Sequence, residues 1–366
     1  MTSTADAPAN VSVAELMELH FDPVGGSPYW LERRNELRFD PLKEIRTLED
    51  LVRFGIFPED DLRKRPALHF VPKRFHPRVR DFVLSETGGA TGKPKRVYFS
   101  AEEFRAGFIT PFLDVARSVG WPEGAQWLYL GPSGPHIIGK VIYPICRALN
   151  SPAPLEIDFD PRWARRLTPG SLARERYLDH LAGQGIDILN REPVEVLFAT
   201  PPLLERLAQK IPDETRLRIR GVHYGGMALD PDRYLRFRRE VFPHAVHLSG
   251  YGNSLVGVAF EATSEERGML QYFPSAARHR IRLIPVGEGS PEQNLDVNVG
   301  FGERGRVLVS RLDSTCFIPN LLERDVAIRV QTSPEAAALG WHFPGIENPQ
   351  SIDRTDTANA NARGFY

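Results

Sequence analysis

Cysteine is nearly absent: Cys146 and Cys316, far apart and each in apolar surroundings, are the only thiols among 366 residues. Two distant thiols make neither a metal framework nor a disulfide scaffold; they suit a reducing compartment and a packing role. Excess charge is lacking too, with 46 Lys and Arg against 47 Asp and Glu. Such a balance argues against nucleic acid as the main partner, because phosphate backbones are held by concentrated cations. Basic runs exist, 216-RLRIR-220 and 233-RYLRFRRE-240, but Tyr234, Leu235 and Phe237 interleave the second as on a solvated helix face. No apolar run approaches the length of a membrane span. The start, MTSTADAPANVSV, has no basic n-region and no apolar h-region, so no secretory signal is expected. These absences predict a soluble, cytoplasmic protein with neither membrane nor nucleic acid as partner.

What is present is ordinary globular material, 42% apolar and 25% charged. The length suffices for one large enzyme-like unit with subdomains, or for two domains. Residues 14–80 read as helices broken by prolines: VAELMELHF, PYWLERRNELRF and TLEDLVRFG. From Phe82 the apolar segments RDFVLS, RVYFS, QWLYLGP, EVLFAT, RIRGVHYGG and AVHLSGYG alternate with helical stretches. EEFRAGFITPFLDVARSVG and PPLLERLAQKI are the clearest helices, with apolar steps of three and four. Strands alternating with helices predict an α/β architecture. After Glu261 the pattern turns to β, in MLQYFP, HRIRLIPV, LDVNV, GRVLVSR and VAIRV. The expected organisation is a helical segment over 1–80 packed on the core, an α/β nucleotide- and acid-binding core over 81–265, a β-rich subdomain over 266–350 and a hinge-like tail over 351–366.

The stretch 85-SETGGATGKPKRVYFS-100 sets three glycines, two threonines and two lysines between two strands. It is no Walker loop. Three residues separate Gly88 from Gly92 instead of four, and Lys93 is followed by Pro94 where a hydroxyl should hold magnesium. Pro94 also lacks the N–H that a phosphate-cradling helix must donate. The G-x-G-x-x-G fingerprint is absent as well. A glycine-rich hairpin without catalytic meaning stays open as the plain alternative.

The loop resembles the phosphate-binding loop of the adenylate-forming superfamily, which includes acyl-CoA synthetases, phenylacetate–CoA ligases, adenylation domains and luciferases. There the pattern is Ser/Thr-Ser-Gly-Thr-Thr-Gly-x-Pro-Lys, and Thr87, Gly88, Gly89, Ala90, Thr91, Gly92, Lys93, Pro94 and Lys95 take those places. Hydroxyls and glycine N–H groups can wrap the β- and γ-phosphates of ATP. Further segments follow in the family's order: 131-GPSGPHIIG-139, 196-VLFATPPLLERLA-208, 221-GVHYGGMAL-229, 249-SGYGNSL-255, 302-GERGRVLV-309, 323-ERDVA-327 and 353-DRTD-356. The resemblance, over roughly 80–356, implies the fold class: the large N-terminal domain of the adenylate-forming fold, layered α/β with a smaller β-rich subdomain. It implies that His136 borders the acid, that Gly225 and Gly226 flank adenine, that Tyr251 before Gly252 stacks on it and that Ser254 touches the α-phosphate. Asp325 would bind the ribose, and Arg354 and Asp356 would stand at a hinge. Thr87, Gly88, Gly89, Thr91, Gly92 and Lys93 would hold the distal phosphates, with ATP and Mg2+ as cofactors.

Two departures stand beside these matches. The family's magnesium-binding glutamate falls at Leu255, which offers no oxygen; Glu261 is a replacement candidate, and the metal ligands stay open. The sequence ends ten residues after Asp356, where family members continue into a small lid domain, so a core without a lid is expected. In this it resembles the short adenylating proteins of phenazine antibiotic pathways. That resemblance implies an aromatic acid and a partner reductase or transferase that takes the acyl-AMP, in secondary metabolism.

Other constellations carry less. The serine elbow fails because 252-GNSLV-256 ends in Val256. His244 and His247, three apart on a strand, would face opposite ways and, with His223, read as ordinary strand histidines. Glu86 either orients the loop or is a plain surface carboxylate. The expectation is an adenylating ligase acting on a carboxylic acid. The alternative is a protein of the same fold that binds ATP or an aromatic acid without turnover.

Overall fold

The computed structural model describes residues 12–88, 92–227, 229–263, 270–287 and 289–352. Two strands, β1 (Val83–Glu86) and β2 (Arg96–Phe99), form an antiparallel hairpin whose connection is the glycine-rich stretch. The other strands make one large sheet. Its first half comprises β3 (Gln126–Gly131), β4 (Leu155–Asp158), β5 (Val194–Ala199), β6 (Gly221–Tyr224) and β7 (Val246–Asn253). Its second half comprises β8 (Gly257–Glu261), β9 (Gln271–Phe273), β10 (His279–Ile284), β11 (Arg304–Leu312), β12 (Phe317–Val330) and β13 (Gly345–Ser351). The spatial order is β10-β11-β12-β13-β9-β8-β7-β6-β5-β3-β4.

The pairs β4–β3, β3–β5, β5–β6 and β6–β7 are parallel. Parallel neighbours need crossovers, and the helices Ile137–Ala148, Leu172–Arg191 and Pro201–Ala208 supply them. Covered faces explain why β5 and β6 read as nearly unbroken apolar runs: Val196, Leu197, Phe198, Ala199 and Val222 are all buried. β7 is the pivot, parallel to β6 but antiparallel to β8 over Gly250–Phe260 to Asn253–Gly257. Beyond it every pairing is antiparallel. Ligands of open α/β sheets bind outside the carboxyl ends of the parallel strands, and there the loops after β3, β5, β6 and β7 lie side by side.

Several expectations are corrected. Residues 102–120 do not form one uninterrupted helix: a π-helical turn, Arg105–Ile109, separates Ala101–Phe104 from Thr110–Ser118. Pro111 removes an N–H and its ring displaces the carbonyl four residues back, that of Gly107. Gly107 is also where Arg278 packs, since a Cβ there would lie 2.9 Å from its Nη1. Residues 47–55 carry only a 3-10 turn, Glu49–Phe54, closed by Gly55 at φ +71°. LDVNV (295–299) is not a strand but turns, rich in Asp and Asn. Arg282 donates to the Leu295 carbonyl at 2.9 Å and Arg329 to that of Val299 at 2.7 Å.

The N-terminal segment packs across β11 and β12. Trp30 Nε1 donates to the Phe317 carbonyl at 3.0 Å, and Asn320 Nδ2 donates to the Leu51 carbonyl at 2.6 Å. Phe21, Trp30, Phe54 and Phe317 cluster in the same layer. Cys146 and Cys316 are buried there and in the helical layer, and burial pushes both thiols up to about 12. No helix among the described residues is long and apolar enough to cross a membrane.

Candidate active site

The neck of the glycine loop is closed from both strands. Thr87 N–H donates to the Lys95 carbonyl at 3.0 Å, and Lys95 N–H donates to Thr87 Oγ1 at 3.0 Å. Thr87 thus has a closing role in addition to the one the resemblance implies. Arg165 Nη1 donates to the Gly88 carbonyl at 2.9 Å. Gly92 takes φ +138°, a conformation that side chains avoid. Lys93 is exposed, while Lys95 pairs with Glu59. Gly89 and Thr91 lie outside the described residues. Glu86 is no plain surface carboxylate: it is buried and bridges Arg96 at 2.6 Å and Arg162 at 2.9 Å.

The turn after β7 meets this hairpin directly. Ser85 Oγ donates to the Ser254 carbonyl at 2.5 Å, tying β1 to the Tyr-Gly-Asn-Ser segment. Two more carbonyls of the turn are held from behind, Leu255 by Arg311 at 3.2 Å and Val256 by Arg278 at 3.4 Å. Leu255 N–H donates to Asn253 Oδ1 at 2.7 Å. Hydrogen bonds from three side chains to three successive carbonyls leave this turn little freedom.

Across the turn stands β12. Its ladder with β11 pairs Leu322 with Leu308 and Val326 with Arg306, so four steps on β12 face two on β11. Glu323, Arg324 and Asp325 thus stand opposite the single residue Val307, a bulge with two surplus residues that carries these side chains out of the regular alternation. Tyr251 Oη donates to Asp325 Oδ2 at 2.8 Å, and Asn253 Nδ2 donates to Glu323. Burial, then Asp325 and Glu323, raise the Tyr251 phenol well above its ordinary range. Burial, with Asp325 next in effect, raises Glu323 to about 7. Gly252 is exposed in the same turn. Gly225 and Gly226 follow β6; a Cβ on Gly225 would lie 2.6 Å from the Phe198 ring, and Gly226 takes φ +75°. The described chain ends at Ile352, just past Ser351, which pairs with Asp325. Arg354 and Asp356 lie outside the described residues.

His136 caps the helix Ile137–Ala148, its Nδ1 accepting from Ile138 N–H at 3.3 Å. Burial, reinforced by Arg162 and Arg165, lowers its pKa to about 4, so the imidazole is neutral at pH 7. It borders a cavity of about 260 Å³ between the turns 132–136 and 158–162, beyond the carboxyl ends of β3 and β4. Drug-sized ligands occupy roughly 300–1,000 Å³. The space suits something smaller.

The described residues do not fit a resident magnesium site. Leu255 is buried and apolar. Glu261, the replacement candidate, accepts from Tyr234 Oη at 2.8 and 3.0 Å, and it lies four strand residues from the turn, about 13 Å. No group of three or more His, Cys, Asp or Glu among the described residues is set to hold a metal ion. Two of the three histidines weighed as ligands are engaged elsewhere: His247 Nδ1 meets Tyr224 Oη at 2.6 Å and His223 Nδ1 meets the Leu248 carbonyl at 3.1 Å.

Sequence reasoning missed Ser85, Asn253, Arg165, Arg311 and Glu323. Asn253 sits inside a motif and Glu323 two residues before Asp325, so proximity could have flagged them. Arg165 carries no sequence signal, because folding alone brings the helix Pro161–Arg166 to Gly88.

No family model and no curated protein matches the chain. Solved structures do. An open conformation of 2-hydroxyisobutyryl-CoA ligase in complex with 2-HIB-AMP and CoA matches with a TM-score of 0.62 and 14% identity, over 91% of this chain and 71% of that one. The same ligase in the thioesterification state gives 0.64 and 15%, over 92% of this chain and 65% of that one. The chain has the fold of these ligases. That α/β ligase fold is the one the ordered motifs imply. In further structures of the same ligase, the chain spans 66% and 64% of its length.

Proposed function

We propose that the protein adenylates a small carboxylic acid with ATP, forming an acyl-AMP and releasing pyrophosphate. One observation carries this reading. Through the Ser85–Ser254 and Tyr251–Asp325 hydrogen bonds, three segments far apart in sequence meet, and the motif resemblance ties each to a different part of ATP.

In the reaction a carboxylate oxygen attacks the α-phosphorus, the new C–O–P linkage forms and the bond to the β-phosphate bridging oxygen breaks. Such chemistry needs positioning and stabilisation of charge. The Tyr251 ring would stack on adenine, its orientation held by the bond to Asp325, with Gly225 and Gly226 admitting the base at close range. Asp325 would receive the ribose hydroxyls, joined by Arg354. Ser254 would donate to the α-phosphate from a turn that is already held. Lys93, Thr91 and the N–H groups of Gly88, Gly89 and Gly92 would take the β- and γ-phosphates, while Thr87 keeps the loop closed. Magnesium would arrive bound to ATP, since it keeps several waters and binds mainly through phosphates. Neutral His136 would border the acid in the adjoining cavity without forming an ion pair to it. An aromatic acid, and a reductase or transferase that consumes the adenylate in secondary metabolism, follow from the subfamily resemblance.

ATP–pyrophosphate exchange across a panel of aromatic and aliphatic acids tests this. Exchange with one class of acid, lowered about 10²-fold in Lys93→Ala, is the expected result. Leu255 favours a second reading, a protein that binds ATP and acid without turnover. ATP binding with no exchange for any acid would select it.

A further inference from the structure

Cations crowd the glycine loop, and three of them are paired with carboxylates. Lys95 pairs with Glu59, and Arg96 and Arg162 share Glu86. Lys93, Arg165 and Arg324 are left, each without a carboxylate within ion-pair distance among the described residues. Arg165 is half-buried; one of its nitrogens holds the Gly88 carbonyl, while its buried Nε has no hydrogen-bond partner. A guanidinium withdrawn from water without a counter-ion is costly, so such an arrangement persists where an anion completes it.

Arg324 reaches the same place from the other side. The bulge at 323–325 frees it from the β12 ladder, and Asn253 and Ser254, bonded to Glu323 and to Ser85, connect that bulge to the base of the loop. Burial and then the charge of Arg324 lower Arg165 to about 10, so the two guanidinium charges lie near enough to repel. The planar fork of arginine matches phosphate oxygens in pairs.

We propose that Arg165 and Arg324 clamp the pyrophosphate end of ATP, adding two guanidinium charges to that of Lys93. The assignment rests on the adenylation reading and goes beyond it by naming the groups that distinguish ATP from AMP. Arg165 would hold the loop by its carbonyl and the phosphates by its remaining face, so loop position and phosphate occupancy become linked.

Calorimetric titration of the full chain with ATP and with AMP tests this, on wild type, Arg324→Gln, Arg165→Gln and Arg165→Lys. The expected result is about a tenfold loss of ATP affinity in each Gln variant, with AMP affinity changed less than about twofold. Arg165→Lys, which keeps the charge without the fork, should fall between. Arg324 is exposed, so its variant reports on binding without a cost to folding. Unchanged ATP affinity in Arg324→Gln, or ATP and AMP affinities falling together, would overturn the clamp while leaving adenylation standing. A wild type that binds neither nucleotide would overturn both.

Discussion

Leu255 and Arg311 show how much depends on single residues. Leucine stands where the motif resemblance implies a metal-binding glutamate, and its side chain is 1% exposed. What the turn has instead is a buried cation behind it. Arg311 is fully buried; it bridges Asp313 at 2.6 Å, donates to the Tyr98 carbonyl at 2.7 Å and lies 3.4 Å from the centre of the Phe99 ring. Burial alone would raise Asp313, yet Arg278 and Arg311 hold it below the ordinary carboxylate range. Glu103 is raised by burial and by Asp313, so this group already carries one strained carboxyl. Arg311→Met should therefore cost about 3–5 kcal/mol, because it strands buried carboxylates rather than removing a neutral set. Urea unfolding measures it. A loss under about 1 kcal/mol would mean that Arg278 compensates alone.

At the level of elements, the bulge of β12 turns a strand into part of a site. The motif resemblance implies a nucleotide contact for Asp325, but a regular strand would have sent neighbouring side chains to opposite faces. Two surplus residues cancel that rule, and they do so through the irregular ladder with β11, the preceding strand. The bulge also has a pH signature. Glu323 titrates near 7 in the folded protein against 4.5 ordinarily. Folding therefore favours its protonated form, and this contribution is full below pH 4.5 and lost as pH rises through 7. Glu323→Gln should melt closer to wild type at pH 5 than at pH 8, where the variant gains. Parallel melting differences at the two pH values would remove the account.

On the scale of the whole molecule the opposite slope dominates. His20, His136, His223, His247 and His279 are all buried, and burial lowers four of them to about 4 and His279 to about 3. Each is neutral in the fold and charges more readily when unfolded, so its stabilisation is full above pH 6.5 and lost as pH falls through about 4. Each is worth of order 3 kcal/mol at complete titration, and together they outweigh the opposing shift of Glu323. The melting temperature should drop steeply between pH 6.5 and 4.5. A flat profile across that window would show that these imidazoles do not stay neutral.

The sequence by itself determined the strand–helix alternation, the place of the glycine loop and the order of the motifs, since these follow from local periodicity and short spacings. The π-helical turn before Pro111 departs from the expected helix because apolar periodicity does not carry a proline's effect on the carbonyl four residues back, and the expected strand at 295–299 gives way to turns because distant arginines capture its carbonyls. Only the tertiary structure decided which side chains meet: Ser85 with Ser254, Tyr251 with Asp325, Arg165 with Gly88. Each contact spans 74 to 169 residues of chain. Contacts of that range are set by sheet order and by the burial that drives it, and no spacing along the chain encodes them.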